Sequence, residues 1–250
     1  MKSWMKSAAR RSGYRAAASA IMLAAMMTLL SGCLYPEENL KQNVPPKEAV
    51  RNVQAAIDQY FEEKGLLPIS NSDQDVPKYE KFKLDFKKLQ STGYLSAIPT
   101  AAFENGGTYF FLIMDEETDP TVKLMDIVTY QRINDVQKWV KEYRDSRGAL
   151  PQGDEMYPGF YTIDYESMGR KAPELRSVFS GTMLSAIMDK NGLVYTDYGV
   201  DIMQLMQKNA DLQAAEDTDL REWLADASDF VPVKAPEYRL RNGEPVAVLP

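Results

Sequence analysis

Residues 53–68 read VQAAIDQYFEEKGLLP, and residues 136–151 read VQKWVKEYRDSRGALP. Six of the sixteen positions are identical without a gap, at an offset of 83. Each stretch is a helix with a stop. Val50, Val53, Ile57, Tyr60 and Phe61 recur at helical spacing on one face, as do Ile133, Val136, Val140 and Tyr143. Gly65 and Gly148 close the two helices, because glycine takes the left-handed conformation without a Cβ clash. Pro68 and Pro151 then forbid continuation.

The echo continues downstream. Leu84-Asp85-Phe86 is answered by Ile163-Asp164-Tyr165, and Ile113-Met114-Asp115 by Ile187-Met188-Asp189. Val122–Asp126 is answered by Leu193–Asp197. The offset falls in order from 83 to 79, 74 and 71, as it does when loops shorten between matched elements. Each helix is predicted to be followed by a short apolar segment, near 81–86 or 159–165, and a short helix, 87–92 or 172–179. A β-hairpin comes next. Its strands are Tyr109–Asp115 with Thr121–Asp126, then Leu184–Asp189 with Leu193–Asp197. The second pair flanks Asp-Lys-Asn-Gly, a strong turn signal.

The fold expected is α+β: a tandem duplicated helix-plus-antiparallel-sheet module behind a cleaved N-terminal signal peptide. The domains expected are a signal peptide at 1–32, a flexible tether at 33–46, repeat 1 at 47–130, repeat 2 at 131–212, and a C-terminal helix and hairpin at 213–250. Helices are predicted at 199–208 and 214–227. The last hairpin is Tyr238–Arg241, a turn at Asn242-Gly243, and Pro245–Leu249.

The N-terminus has the three parts of a secretory signal. Lys2, Lys6, Arg10, Arg11 and Arg15 are unopposed by any acid. An apolar run, AAASAIMLAAMMTLL, covers residues 16–30. Leu30-Ser31-Gly32-Cys33 closes it, in the pattern of a lipobox, and Cys33 is the only cysteine. The run is shorter than the about 20 residues that span a bilayer as a helix. The expectation is cleavage before Cys33 and diacylglycerol on its sulfur. Two acyl chains give the durable anchor that one does not, and they place the chain on the extracytoplasmic face of the cell membrane.

Losing residues 1–32 removes five cations and leaves 24 basic against 36 acidic residues, a net charge of −12. That charge disfavours nucleic acid as a partner. With Cys33 acylated no thiol remains, and the chain has no histidine. The commonest general base and the commonest metal ligand are therefore missing, and zinc and copper sites are disfavoured. No cofactor, no metal site and no catalytic residue is expected; Cys33, as the lipidation site, is the one site residue assigned.

Other constellations read as structure. Asp115-Glu116-Glu117 with Asp119 offers hard oxygen ligands, but its spacing is not that of a calcium loop, so it reads as a solvated turn. Tyr157, Phe160, Tyr161 and Tyr165 with Trp139 and Trp223 have the makings of a saccharide platform, although alternating aromatics more often form core and rim. With 36 carboxylates, any glycosidase-like pair is uninformative.

The order of lipobox, short tether, helix exit and hairpin resembles the YphF-type lipoproteins of Bacillus and related spore-forming bacteria. The residues that carry it are Cys33-Leu34-Tyr35-Pro36, Gly65–Ile69, Ala102-Phe103-Glu104 with Gly106-Gly107, and Asp119–Asp126. The resemblance implies a lipid-anchored envelope protein and brings no catalytic residue with it. Some members are labelled solute-binding proteins of transporters. A two-lobed solute receptor usually needs alternating parallel strands and helices, a pattern this chain does not show. The function expected is a non-enzymatic binding or scaffold module with an envelope-protein or cell-wall partner. The alternatives are a ligand-binding lipoprotein of a transporter and a carboxylate-dependent hydrolase.

Overall fold

The structure, a computed structural model, describes residues 46–70, 72–209, 215 and 217–249. The signal peptide, Cys33, the tether up to Val44-Pro45 and the first residues of the helix expected at 214 lie outside the described residues. The described residues belong to one compact unit, with helices on antiparallel sheets, the α+β arrangement expected. Among the described residues no helix is long and apolar enough to cross a membrane.

The first half starts with α1, Pro46–Lys64, whose stripe of Val50, Val53, Ile57 and Tyr60 is buried. Gly65 ends it at φ +65°, and its N–H donates to the Phe61 carbonyl at 2.8 Å. The chain then runs through a 3-10 turn, Lys78–Glu80, a short helix α2, Phe86–Ser91, capped by the Asp85 carboxylate, and a second 3-10 turn, Phe103–Asn105. The hairpin β1 (Tyr109–Met114) and β2 (Thr121–Asp126) follows. On the far side of β1, Leu84 N–H donates to the Phe111 carbonyl at 2.9 Å, and Ile113 N–H to the Phe82 carbonyl at 3.0 Å. Phe111, Ile113, Val122 and Leu124 pack under α1, while Leu112, Met114 and Met125 face the opposite side. Both faces of this hairpin are therefore covered, which explains the uninterrupted apolar run YFFLIM.

β2 passes into α3, Ile127–Arg147, without a loop. Asp126 makes the junction: its carboxylate accepts from Val128 N–H and Thr129 N–H, both at 3.1 Å, and from the Thr129 hydroxyl at 2.6 Å. Those bonds satisfy helix-end donors that would otherwise lack partners. The division expected between residues 130 and 131 falls inside this helix. After Gly148 come β3 (Gln152–Tyr157), β4 (Phe160–Ile163), the two-residue β5 (Leu175–Arg176), β6 (Met183–Asp189) and β7 (Val194–Asp197). They form one antiparallel sheet, β3-β4-β6-β5, with β7 also on β6. The helix expected at 172–179 does not form; β5 and a turn occupy that stretch. Pro173 disfavours helix at its predecessor and supplies no N–H. The cap survives without its helix, since Asp164 still accepts from Ser167 N–H at 3.0 Å, as Asp85 does from Lys88 N–H at 3.0 Å.

The two halves repeat several contacts atom for atom. Asp85 N–H bonds the Pro68 carbonyl at 2.8 Å, and Asp164 N–H bonds the Pro151 carbonyl at 2.9 Å. Gln54 on α1 donates to the Pro120 carbonyl at 2.9 Å and accepts from Val122 N–H at 2.7 Å. Gln137 on α3 donates to the Gly192 carbonyl at 2.8 Å and accepts from Val194 N–H at 2.9 Å. These clips correct the sequence register of the hairpins. Val122 corresponds to Val194, 72 residues on, not 71. Val122 pairs with Ile113 and Val194 with Met188, so Ile113 corresponds to Met188. The identical letters Ile113-Met114-Asp115 and Ile187-Met188-Asp189 are one residue out of phase. A slip of one would turn every side chain to the other face of the sheet.

The C-terminal part joins the halves. α4, Gly199–Lys208, and α5, Arg221–Asp226, are followed by a strap and by the hairpin β8 (Glu237–Arg241) and β9 (Glu244–Val248). Among the described residues of the helix expected at 214–227, 221–226 are α-helical. The strap takes Leu124 N–H of β2 on the Asp229 carbonyl and Thr196 N–H of β7 on the Lys234 carbonyl, both at 2.8 Å. Leu124 and Thr196 also stand 72 residues apart, so the strap edges both sheets at corresponding positions. Val231 and Val233 are buried against β1 and β2. The final hairpin is tied to the second sheet at Asp197, which accepts from the Tyr238 hydroxyl at 2.6 Å and the Tyr157 hydroxyl at 3.1 Å.

Candidate binding cleft

The strap, the turn at 78–80, α3 and the β6–β7 turn enclose a cleft of about 500 Å³ between the two halves. That volume lies within the range typical of small-molecule sites. Pro77, Pro232, Pro236, Leu193 and Tyr195 give it apolar walls, and Gln137 stands on its α3 side with its amide already spent on the hairpin.

Its charges come in matched pairs. Arg221, at the start of α5, places Nε and Nη2 on Asp219 at 2.9 and 2.7 Å and donates Nη1 to the Ala235 carbonyl at 3.0 Å. Burial works against this guanidinium charge, yet the Asp219 hydrogen bonds and charge outweigh it, and its pKa is raised. Lys234 holds its ammonium 3.2 Å from Glu80, a carboxylate only 8% exposed, and 4.6 Å from the centre of the Tyr130 ring. Lys78 pairs with Glu222 at 2.7 Å, but both are roughly half exposed and such pairs contribute about 0–1 kcal/mol. Among the described residues, therefore, the cleft carries no uncompensated cation.

Tyr79 forms part of the wall between this cleft and a smaller hollow of about 200 Å³ beside α5. The residue is 3% exposed, and its hydroxyl has no hydrogen-bond partner among the described residues. The ring lies 5.4 Å from the Arg221 guanidinium and 5.7 Å from the Lys78 ammonium. Burial, then the charge of Asp219, pushes the phenol well above its ordinary pKa, so it is a hydrogen-bond donor at neutral pH. Glu80, the next residue, has one carboxylate oxygen, Oε1, with no directed hydrogen bond among the described residues.

A second hollow, about 210 Å³, lies between α4 and α5. Asp201 lines it, 2% exposed, and accepts from the Ser177 hydroxyl at 2.9 Å. Burial raises its pKa above the ordinary 3.8, against the hydrogen bonds from Ser180 and Ser177.

The residues singled out by sequence lie elsewhere. Cys33 is outside the described residues. Asp115, Glu116, Glu117 and Asp119 form the turn between β1 and β2, and among the described residues no group of three or more potential ligands converges on a metal position. The aromatic residues do not make a platform: Phe160 is fully buried, Tyr157 is bonded to Asp197, and Trp139 and Trp223 pack against the second-half core. Asp189 of the Asp-Lys-Asn-Gly turn accepts from Asn191 N–H at 2.8 Å and Leu193 N–H at 2.9 Å. In the sequence, Tyr79, Glu80 and Lys234 carry nearby prolines as their local signal, and Arg221 carries none.

Residues 46–126 match the YphF family N-terminal domain. The match ends at Asp126, the residue that closes β2 and caps α3. No curated protein and no solved structure matches the chain.

Proposed function

We propose that this YphF-type chain is a non-catalytic binding module, held on the extracytoplasmic face of a membrane by diacylglycerol on Cys33, with the cleft between its halves as the binding site. The cleft carries the reading. It is roomy, walled by proline and tyrosine, and its cations are all paired, which suits recognition better than bond-breaking. The signal pattern ending at Cys33 supports the address. We also read the two halves as copies of one module. The paired glutamine clips, the paired aspartate caps and the shared strap support that reading, because a chance likeness of two helices would not reproduce hairpin and cap bonds in one order.

A partner in the envelope is the first reading; a small ligand handed to a transporter is the second, favoured by the cleft volume. Site-specific photocrosslinking in native membranes tests the first. A reactive side chain at Leu193, on the cleft, is expected to give a discrete adduct that the same group at exposed Met156 does not. Identical adducts from both positions, or none from Leu193, would overturn it. Turnover of an envelope substrate that disappears on changing one carboxylate would overturn the non-catalytic reading.

A further inference from the structure

We propose that Asn242-Gly243, the turn between β8 and β9, is a self-modification site, at which the asparagine loses ammonia and becomes aspartate or isoaspartate. The inference is independent of the cleft. The chain contains three Asn-Gly pairs: Asn105-Gly106, Asn191-Gly192 and Asn242-Gly243. A glycine after asparagine leaves its backbone nitrogen unshielded by a Cβ. That nitrogen is the nucleophile of the reaction, so the sequence marks all three pairs alike and the fold decides between them.

Two of the three nitrogens are engaged. Gly106 N–H donates to the Phe103 carbonyl at 3.0 Å, and the Asn105 side-chain amide donates to the Ile98 carbonyl at 2.8 Å, so both reacting groups are held. Gly192 is buried; its N–H donates to the Asp189 carbonyl at 3.0 Å, and its own carbonyl accepts from Gln137 at 2.8 Å. Asn242 and Gly243 are both exposed. Pairing of β8 with β9 ends at Arg241 opposite Glu244, and the turn residues stand at φ +52° and +83°, as a two-residue turn requires. Among the described residues neither the Gly243 N–H nor the Asn242 side chain has a hydrogen-bond partner.

The reaction needs only water. The Gly243 nitrogen gives up its proton to solvent and attacks Asn242 Cγ. The Cγ–Nδ2 bond breaks, and Nδ2 leaves as ammonia with a proton from water. The cyclic imide that remains takes up one water at either carbonyl. Opening at Cγ gives aspartate. Opening at the main-chain carbonyl gives isoaspartate, whose backbone runs through the former side chain and is longer by a carbon. That carbon enters the turn of a hairpin whose Tyr238 hydroxyl holds Asp197 of the second sheet at 2.6 Å. A lengthened turn displaces the Arg241 and Glu244 pairing and loosens that hold.

The test incubates the full chain in detergent micelles at mildly alkaline pH and follows all three sites by peptide mass spectrometry. In the folded chain Asn242 is expected to convert about tenfold faster than Asn105 or Asn191, a difference of about 1.4 kcal/mol in barrier, the size of a hydrogen bond that must first break. In urea that unfolds the chain the three rates are expected to converge, because the Asn-Gly pair is common to them. Equal rates in the folded chain, or faster conversion at Asn105 or Asn191, overturn the proposal. The same spread of rates in urea also overturns it, since flanking residues and not the fold would then set the order. The isoaspartate form is expected to melt below Asn242→Asp, which adds the charge without lengthening the backbone. A melting temperature at or above that of the variant overturns the loosening of the hairpin.

Discussion

Gln54 and Gln137 occupy corresponding positions on α1 and α3, and each ties its helix to the hairpin behind it with one donated and one accepted hydrogen bond. Replacing either by leucine keeps most of the volume and strands an edge N–H and a carbonyl. Each substitution should cost about 1–3 kcal/mol, read as a lowered midpoint in urea. Corresponding positions should give similar losses. A cost at one and none at the other would mean that the two clips are not equivalent in energy.

The strap accepts hydrogen bonds from the Leu124 N–H of β2 and the Thr196 N–H of β7 on one short segment. If it lifts as a unit, the two amides exchange with solvent at the same opening free energy. Val233→Asp, which sets a charge in a fully buried position, should release both together. Hydrogen exchange read residue by residue checks this. Release of one amide with the other still protected would show that the strap opens in two pieces.

Asp201 makes stability depend on pH in a predictable direction. Its folded pKa is raised above the ordinary 3.8 by burial. Between these two values the folded state holds a proton that the unfolded state has lost. Stability therefore falls as pH rises from about 3.8 through the folded pKa, and is level above it. In Asp201→Asn this slope disappears. The difference in melting temperature between variant and parent should grow in favour of the variant over that window. A difference independent of pH would show that the carboxyl does not titrate there.

Cys33→Ala tests the anchor independently of the fold. The variant is expected to leave the membrane fraction or to accumulate as a precursor that retains residues 1–32, with urea unfolding of the 46–250 region unchanged. A variant still found in membranes at its mature size would remove the lipid from the proposal.

The periodic and local features of the fold were legible. Both capped helices, both hairpins and the last hairpin stand within a few residues of their expected places, because apolar spacing, a stop glycine and a turn each act locally. β3 was not legible. Its residues QGDEMY are exposed at five of six positions and do not alternate, and only its pairing with β4 makes it a strand. Gly153 shows how close that pairing is, since a Cβ there would lie 2.3 Å from the Thr162 hydroxyl oxygen. The hairpin register was misread by one because letter identity competes poorly with the alternation of faces. The cleft was invisible, since it assembles five stretches spread from Pro77 to Glu237 whose only common property is where the strap brings them.

The strap lies between residues 228 and 236, after every strand of both sheets. Synthesis runs the other way, so β2 and β7 both exist for some time with bare edges. The earlier half cannot finish its sheet on its own, however well its helix and hairpin have formed, because its last strand-like neighbour is encoded about 100 residues later. A chain cut short before Asp229 would carry two open edges rather than one missing tail. Residues 229–234 thus act on both sheets at once: the edge of β2 and the edge of β7 are covered by one segment, and neither is covered before that segment is made.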